Sequence, residues 1–251
     1  GTIDEEKRQQ IVQTSCHKNC GSCSGFYTAN TMACLFEVMG LTLPNSSSNM
    51  SLSQEKMKET EMIGPTIKNL IEMDLKPLDI LTKESFINAI KFLSIVGGST
   101  NAVIHLLAIA KLAKIDLTLA DFEKYQYTPV LTNMKPHGKY VMDDLSKMGG
   151  TSTLIKYLIN ENIIDGSGIT VTGKTLQQNV ADTEIPKNFD EIVYPIDNPY
   201  KIKSHISILH GNLAPNGCLS KVSSYKTYFR SSVKVFNSEK EMLAALKADK
   251  I

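Results

Sequence analysis

Three cysteines near the start of the chain combine a residue type and a spacing that could do chemistry. Cys16, Cys20 and Cys23 are separated by three and two residues, and Cys23 is flanked on both sides by glycine and serine. Thiolates at this spacing can converge on a metal ion or cluster, and soft sulfur ligands favour zinc or iron–sulfur centres. The small neighbours leave Cys23 free of bulk and allow backbone amides to approach its sulfur.

The spacing by itself leaves several interpretations open. The cysteines could be buried structural residues, since free cysteine is among the most buried residue types. They could bind zinc together with His17, although His17 is adjacent to Cys16 and would need strained geometry. The same spacing occurs in radical enzymes that use S-adenosylmethionine, but no Gly-Gly-Glu segment follows here and a helix is predicted immediately after Cys23.

The composition restricts the class of protein. The chain has 251 residues, of which 42% are hydrophobic and 21% are charged, with 27 Lys and Arg against 26 Asp and Glu. We expect no nucleic-acid partner because no basic surplus is present, and no membrane span because no apolar run approaches about 20 residues. The polar N-terminus resembles neither a signal peptide nor a transit peptide. Clustered cysteines favour a reducing compartment over a disulfide framework.

The cysteines are followed by a series of predicted helices. Apolar residues at 32, 35, 36 and 39 share one face of a helix that Gly40 ends. Thr82 is a predicted N-cap, Gly97-Gly98 breaks the helix that follows, and an apolar helix runs from Asn101 to about Lys114. Two shorter helices flank residues 149–150. Gly64-Pro65 is predicted to interrupt or restart a further helix, and residues 169–172 to form a short strand or a strand-like approach to the next helix.

The pattern changes near residue 186. Alternating residues predict strands at 205–208, 218–222 and 231–236, with a turn at 215–217 and a helix that Ser238 caps. The prediction is an α/β protein with two parts. Residues 1–185 form a helix-rich α/β domain, and residues 186–251 begin a β-barrel-like, swivelling domain.

Several blocks of the chain resemble the signature segments of the dihydroxy-acid and phosphogluconate dehydratase family. They occur in the order and spacing of the family and cover nearly the whole chain. The blocks are GSCSGFYTANTMA at 21–33, LPNSSS at 43–48, KPLDILT at 76–82, GGSTNAVIHL at 97–106, KPHGKYVM at 135–142, ITVTGKT at 169–175 and GNLAPNG at 211–217. Within the family, Ser46-Ser47-Ser48 and Ile196-Asp197-Asn198-Pro199 favour the branched-chain amino-acid enzymes over those acting on sugar acids.

The resemblance implies an iron–sulfur cluster with Cys23 as one ligand, 2Fe–2S in preference to 4Fe–4S. It also implies Mg²⁺, but it places the other two cluster cysteines and the magnesium ligands before residue 1, and the catalytic serine base beyond residue 251. We therefore expect no catalytic residue to be retained here and the chain to be a central part of such an enzyme. Cys16 and Cys20 are not expected to be ligands, and Cys218 is expected in the core.

The implied reaction is that of a hydro-lyase, which removes water from a 2,3-dihydroxy-3-methylbutanoate-type acid to give a 2-oxo acid. Ser99, Thr100 and Asn101 begin a helix and could bind this anionic substrate or simply cap the helix. His105 could line the site, although a core histidine is the more frequent finding. Residues 28 and 30 are predicted to cap the helix after Cys23, and residues 139 and 140 are weaker candidates.

The resemblance also implies a homodimer and an intracellular enzyme, in the cytoplasm of a bacterium or in the mitochondrion or plastid of a eukaryote. Two other functions stay open at this point. The chain could serve a sugar-acid dehydratase, or it could be an inactive, metal-binding remnant of the family.

Overall fold

A computed structural model describes residues 3–15, 22–222, 228 and 230–248, so Cys16 and Cys20 lie outside the described residues. This part of the chain contains eleven α-helices, one short 3-10 helix and one β-hairpin. The helices are α1 (Glu5–Ser15), α2 (Thr28–Val38), α3 (Gln54–Glu72), α4 (Pro77–Ile80), α5 (Lys83–Val96), α6 (Asn101–Leu112), α7 (Leu119–Lys124), α8 (Met142–Lys147), α9 (Gly150–Asn160), α10 (Leu176–Asn179) and α11 (Glu239–Lys247). The 3-10 helix is Phe189–Glu191, and the strands are β1 (Ile206–Gly211) and β2 (Ala214–Lys221).

The core is built around α2, which packs against α5, α6 and α9. Its largest fully buried side chains are contributed mainly by these helices and by the Cys23 loop: Phe26, Leu35, Phe86, Phe92, Leu93 and Leu106. The helix α5 begins where predicted, since the Thr82 side chain accepts a hydrogen bond from the Ser85 N–H. It ends at Gly97, whose φ of 60° lies in the left-handed region that favours glycine.

The structure confirms the predicted helices after Cys23, at residues 101–112 and at residues 142–160. Two local predictions were wrong. The helix α3 continues through Gly64-Pro65. It has no buried residue, so water can solvate the carbonyl that proline leaves without a donor. The first alternative for residues 169–172, a short strand, was wrong. Ile169 makes a single bridge to Thr175, and the polar segment between them turns instead.

The C-terminal part confirms a hairpin but not a barrel. β1 and β2 pair antiparallel, with Ile208 opposite Leu219. The predicted turn at 215–217 was wrong, because these residues belong to β2 and the chain reverses at 212–213. A bulge near Gly211 and the positive φ of Gly217 accommodate the irregular register.

The described residues beyond β2 form no further strand. Val233 and Val235, expected in a third strand, are each 84% exposed, since no described neighbour pairs with this segment. Ser238 does cap α11, as predicted, by accepting from the Glu241 N–H. The helix-rich α/β class is confirmed, whereas the barrel and the division at residue 185 stay predictions.

The hairpin packs on the helical part through one face. Ile206 and Ile208 are buried there, and β1 contacts α7. Leu209 and Cys218 are opposite each other on the other face and are exposed. The prediction that Cys218 lies in the core was therefore wrong, because alternation along β2 places it on the outward face. None of the described helices is long and apolar enough to cross a membrane.

Candidate functional site

Cys23 lies in a short loop before α2, and Asn30 in the first turn of that helix holds the loop. The buried Asn30 side chain donates from Nδ2 to the carbonyl oxygens of Cys23 and Gly25, the latter at 2.8 Å. Its Oδ1 accepts from the Ser22 hydroxyl at 2.7 Å. The same Nδ2 lies 3.9 Å from the Cys23 sulfur. Asn30 thus fixes the loop conformation and contacts the thiol directly.

A second segment, residues 135–142, holds the loop from more than a hundred residues further along the chain. The Phe26 N–H donates to the Lys135 carbonyl at 2.7 Å, and the Met142 N–H donates to the Ser24 carbonyl at 2.7 Å. The loop approaches residue 135 so closely at Gly25 that a Cβ there would lie 2.7 Å from the Lys135 carbonyl oxygen. The glycine is required by this contact, and Cys23 is held between two fixed backbone segments.

Among the described residues, no side chain caps the N-terminus of α2. Tyr27 is the N-cap residue and its side chain accepts no capping hydrogen bond. The prediction that Thr28 and Asn30 cap this helix was wrong, since both side chains bond to other partners. An uncapped helix N-terminus carries partial positive charge, which favours a thiolate or another anionic group beside Cys23.

Thr28 connects the Cys23 loop to the beginning of α6. Its Oγ1 lies 2.9 Å from the Ser99 Oγ and accepts from the Asn101 Nδ2 at 2.9 Å. The Ser99 Oγ also accepts from the Asn101 N–H, so Ser99 contributes to capping α6 as well. The structure therefore brings two predicted substrate-binding residues next to the helix that follows Cys23.

The other predicted site residues are less directly connected. The side chain of Thr100 forms no hydrogen bond in the described part of the chain. His105 lies one turn beyond Asn101 and is exposed, so its interpretation as a core histidine was wrong. Lys139 and Tyr140 belong to the turn after residue 135, where the Lys139 ammonium lies 5.0 Å from the Tyr140 ring centre.

An open cavity lies on another side of Asn30. Its volume is about 420 Å³, which is enough for a small organic acid. The lining residues are mostly small and polar: Ser22, Asn30, the serines and asparagine at 46–49, Lys56 and Met142. Lys56 is already paired there with Glu59 at 2.8 Å and donates to the Ser46 carbonyl.

A buried carboxylate supports the serine segment of this cavity. Glu37 of α2 accepts from the Asn45 N–H at 2.8 Å, from both the N–H and the hydroxyl of Ser47, and from the Ser152 hydroxyl. Burial raises the pKa of Glu37, although these hydrogen bonds oppose the shift. Burial also raises the pKa of the neighbouring Cys34 thiol to about 12, so Cys34 is an inert core thiol.

A basic cluster lies behind the Gly97-Gly98 turn. The His137 and His205 rings stack with centroids 3.9 Å apart. Burial is the main cause that lowers the pKa of each to about 4, and for His137 the neighbouring His205 adds to it. Lys201 and Lys221 lie nearby, and burial lowers the pKa of both.

Cys23 fits the role of one thiolate ligand. It is half-exposed, has no disulfide partner among the described residues and has an uncapped helix N-terminus beside it. A cluster takes several cysteine ligands, and the described residues offer no group of three or more His, Cys, Asp or Glu that could hold a metal ion. The same residues therefore do not fit a magnesium site.

Sequence reasoning missed the residues that organise the site. Glu37 offers a signal, because it is a carboxylate within the apolar segment Cys34–Val38. Asn30 was recognised but assigned to capping. The carbonyl of Lys135 and the ammonium of Lys221 act through distant contacts that no local pattern reveals.

Comparison with known proteins matches nearly the whole chain. Residues 1–179 match the family model for the dihydroxy-acid/6-phosphogluconate dehydratase N-terminal domain, and residues 191–251 match the model for the C-terminal domain. A dihydroxy-acid dehydratase of Francisella tularensis subsp. novicida is 44% identical over all of this chain and 45% of its own length. A mitochondrial dihydroxy-acid dehydratase of Aspergillus fumigatus is 46% identical over all of this chain and 42% of its own.

A dihydroxy-acid dehydratase of Lactococcus lactis subsp. lactis is 45% identical, again over the full chain and 44% of the relative. The chain thus spans about half the length of the curated relatives that it matches. The matches run through the Cys23 loop, α2, α6 and the hairpin that surround the candidate site. The chain belongs to the dihydroxy-acid/6-phosphogluconate dehydratase family.

Proposed function

We propose that this chain supplies the Cys23 half of the site of a hydro-lyase that dehydrates a 2,3-dihydroxy acid of the 2,3-dihydroxy-3-methylbutanoate type. The observation that carries the proposal is the 42–46% identity over the full chain to relatives named dihydroxy-acid dehydratase. The product would be a 2-oxo acid, as in branched-chain amino-acid synthesis. A location in the bacterial cytoplasm or in an organelle, and a homodimeric state, belong to the same proposal.

Cys23 would supply one thiolate to an iron–sulfur cluster, 2Fe–2S in preference to 4Fe–4S. The cluster, when bound, supplies a Lewis acid for the C3 hydroxyl. Asn30 holds Cys23 in place through the carbonyls of its loop, and the partial positive charge at the start of α2 favours the ionised thiol. No step involving magnesium is proposed for the described residues.

Ser99 and Asn101 would orient the substrate carboxylate at the beginning of α6. Their polar groups already contact Thr28, and the partial positive charge at the N-terminal end of α6 attracts anions. In the reaction a base takes the C2 proton, the electrons of the C2–H bond form a C2=C3 double bond, and the C3 hydroxyl leaves as hydroxide, which a proton converts to water. The resulting enol tautomerises to the 2-oxo acid. Orientation of the carboxylate would align the C2–H and C3–O bonds.

A longer protein in which this chain is joined to the other half of the site, reconstituted anaerobically with iron and sulfide, tests the cofactor part. We expect the visible absorption and electron paramagnetic resonance signals of a cluster, and their loss in Cys23→Ser. Cys218→Ser is the matched control, because Cys218 is exposed on the outer face of the hairpin. Tetrahedral zinc binding, or a Cys23→Ser protein that keeps the cluster, contradicts this assignment.

The reaction is tested by measuring 2-oxo acid formation from 2,3-dihydroxy-3-methylbutanoate and from 6-phosphogluconate. In the longer protein that contains this chain, we expect turnover of the first to exceed that of the second. A preference for 6-phosphogluconate would support a sugar-acid dehydratase. A loaded protein that turns over neither acid would support an inactive, metal-binding remnant.

A further inference from the structure

A lysine of the hairpin reaches the turn that begins α6. The Lys221 Nζ donates to the Gly98 carbonyl oxygen at 2.7 Å and lies 3.4 Å from that of Gly97. Lys221 is the last residue of β2, more than a hundred residues away from the turn along the chain. The contact links the C-terminal hairpin to the residues directly before Ser99.

The turn itself is tightly packed from the side of α2. A Cβ at Gly98 would lie 2.8 Å from side-chain atoms of Thr31 and of Leu93. The Ser99 N–H donates to the Thr31 hydroxyl at 3.2 Å. One side chain of α2 and one of β2 therefore hold the four-residue segment between α5 and α6.

Lys221 has no carboxylate partner among the described residues that would offset its burial. It is half-buried, and among the described residues it forms no salt bridge. The charged or titratable groups that influence its surroundings are Lys201, His205 and His137, and none of them is acidic. Removing an ammonium from water is unfavourable unless it is hydrogen-bonded, and its described side-chain hydrogen bonds both go to the turn.

We propose that Lys221 is a positioning residue, which fixes the Gly97-Gly98 turn and thereby holds Ser99 and Asn101 in the arrangement that receives the substrate carboxylate. The second half of this inference, that Ser99 and Asn101 are held for the substrate carboxylate, rests on the proposed function. The first half, the control of the turn by Lys221, is a statement about the fold and can be tested without any activity.

Lys221→Met removes the ammonium and keeps much of the side-chain volume, whereas Lys221→Arg keeps a donor. Lys201→Met is a matched control. Lys201 is also half-buried near the hairpin and its Nζ donates to the Val222 carbonyl at 2.7 Å, but it makes no described contact with the turn. Hydrogen exchange is then followed at the amides of Ser99, Ala102 and Val103, which are hydrogen-bonded in the wild type.

We expect exchange at these amides to accelerate about fivefold or more in Lys221→Met, to recover in Lys221→Arg and to stay near wild type in Lys201→Met. Unchanged exchange in a folded Lys221→Met protein overturns the proposal. Equal acceleration in Lys221→Met and Lys201→Met also overturns it, because that result would indicate general loosening of the hairpin.

Steady-state kinetics of the longer protein that contains this chain, with 2,3-dihydroxy-3-methylbutanoate as substrate, test the second half. We expect KM to rise about tenfold in Lys221→Met with a smaller change in kcat, and Lys221→Arg to restore most of the affinity. A kcat loss with unchanged KM overturns the positioning role. If the wild-type longer protein dehydrates neither test acid, the proposed function fails while the exchange experiment still decides the role of Lys221.

Discussion

Glu37 and the stacked pair His137 and His205 are both ionisable groups within the described protein, but their surroundings are opposite. Each carboxylate oxygen of Glu37 receives hydrogen bonds from the segment 45–47 or from Ser152. Each imidazole of the pair leaves its Nε2 buried without a hydrogen-bond partner in the described part of the chain. One cluster is acidic and satisfied, and the other is basic and incompletely satisfied.

The difference shows how burial gives the two groups contributions to stability that depend on pH in opposite directions. Burial disfavours the charged form in both cases. The raised pKa of Glu37 means that its contribution to stability is present at low pH and is lost as the pH rises through that pKa. The lowered pKa values of the histidines mean that their contribution is present above the unfolded value of about 6.5 and is lost as the pH falls toward 4.

The largest expected effect follows from removing the satisfied group. Glu37→Ala leaves the N–H groups of Asn45 and Ser47 and the hydroxyl of Ser152 without their acceptor, and it leaves space in the core. The Ser47 hydroxyl can still donate to the Thr151 hydroxyl. We expect the free energy of unfolding to fall by about 3 kcal/mol, since each unsatisfied buried group costs about 1–3 kcal/mol. Urea unfolding of the 251-residue chain measures this change. The loss should shrink as the pH rises, because the wild-type carboxylate becomes charged there.

Glu59→Ala is the control for this prediction. Glu59 also binds the serine segment, through Ser46 and Asn49, but it lies on the rim and is partly solvated. We expect a loss of less than about 1 kcal/mol, as for other solvated polar contacts. Equal losses in the two variants would show that burial of Glu37 does not distinguish it.

The second expected effect concerns the turn that contacts His205. Gly97→Ala forces a residue with a side chain to φ 60°, and its Cβ would lie 2.7 Å from the His205 Cδ2. His205 cannot easily move aside, because it is 3% exposed and stacked on His137. We expect a loss of about 2 kcal/mol in the free energy of unfolding.

Gly64→Ala controls for the chemistry of that substitution. Gly64 lies within α3, and a Cβ there meets no atom within 4 Å. Alanine is the better helix former, so we expect this variant to gain up to about 1 kcal/mol. A destabilisation by Gly97→Ala no larger than that of a generic surface mutation would contradict the close contact with His205.

Gly97 and Gly64 also show which structural features can and cannot be predicted from the sequence. The helices at 28–38, 83–96 and 101–112 were predictable because apolar periodicity, Thr82 and the Gly97-Gly98 break are local signals. The predicted break at Gly64-Pro65 was wrong, because an exposed helix tolerates proline when water replaces the lost hydrogen bond. The predicted turn at 215–217 was wrong because strand pairing overrode the local turn preference.

The candidate site was predictable in part for the same reason. Cys23, Ser99 and Asn101 are found in segments that sequence similarity identifies, and the structure connects them through Thr28. The roles of Glu37 and Lys221 depend on contacts with residues 8 to more than 100 positions away. Such contacts are set by tertiary packing, which local periodicity does not encode.

The third expected effect distinguishes the two clusters by pH. As the pH falls from about 6.5 to about 4, the unfolded chain takes up protons at His137 and His205 that the folded chain does not. His205 is buried and His137 is half-buried, and we expect a loss of about 1–2 kcal/mol for the pair together. Urea midpoints measured at several pH values should show this decline, and His205→Gln should reduce it.

His210→Gln is the comparison for the histidine effect. His210 is half-exposed and lies 3.2 Å from Glu123. Its removal should leave most of the decline between pH 6.5 and 4 in place. A decline that is the same in His205→Gln and in the wild type would assign the effect to other groups.

The smallest expected effect removes one donor from the satisfied cluster. Ser152→Ala deletes the hydroxyl that donates to Glu37 Oε1 at 3.2 Å, while the donors from Asn45 and Ser47 remain. We expect a loss of about 1 kcal/mol, typical of a single hydrogen bond to a charged or buried group. The pKa of Glu37 should rise further, because one interaction that lowers it is gone. A carboxyl titration followed by infrared spectroscopy measures that shift, and an unchanged pKa would mean that Ser152 does not share in holding the carboxylate.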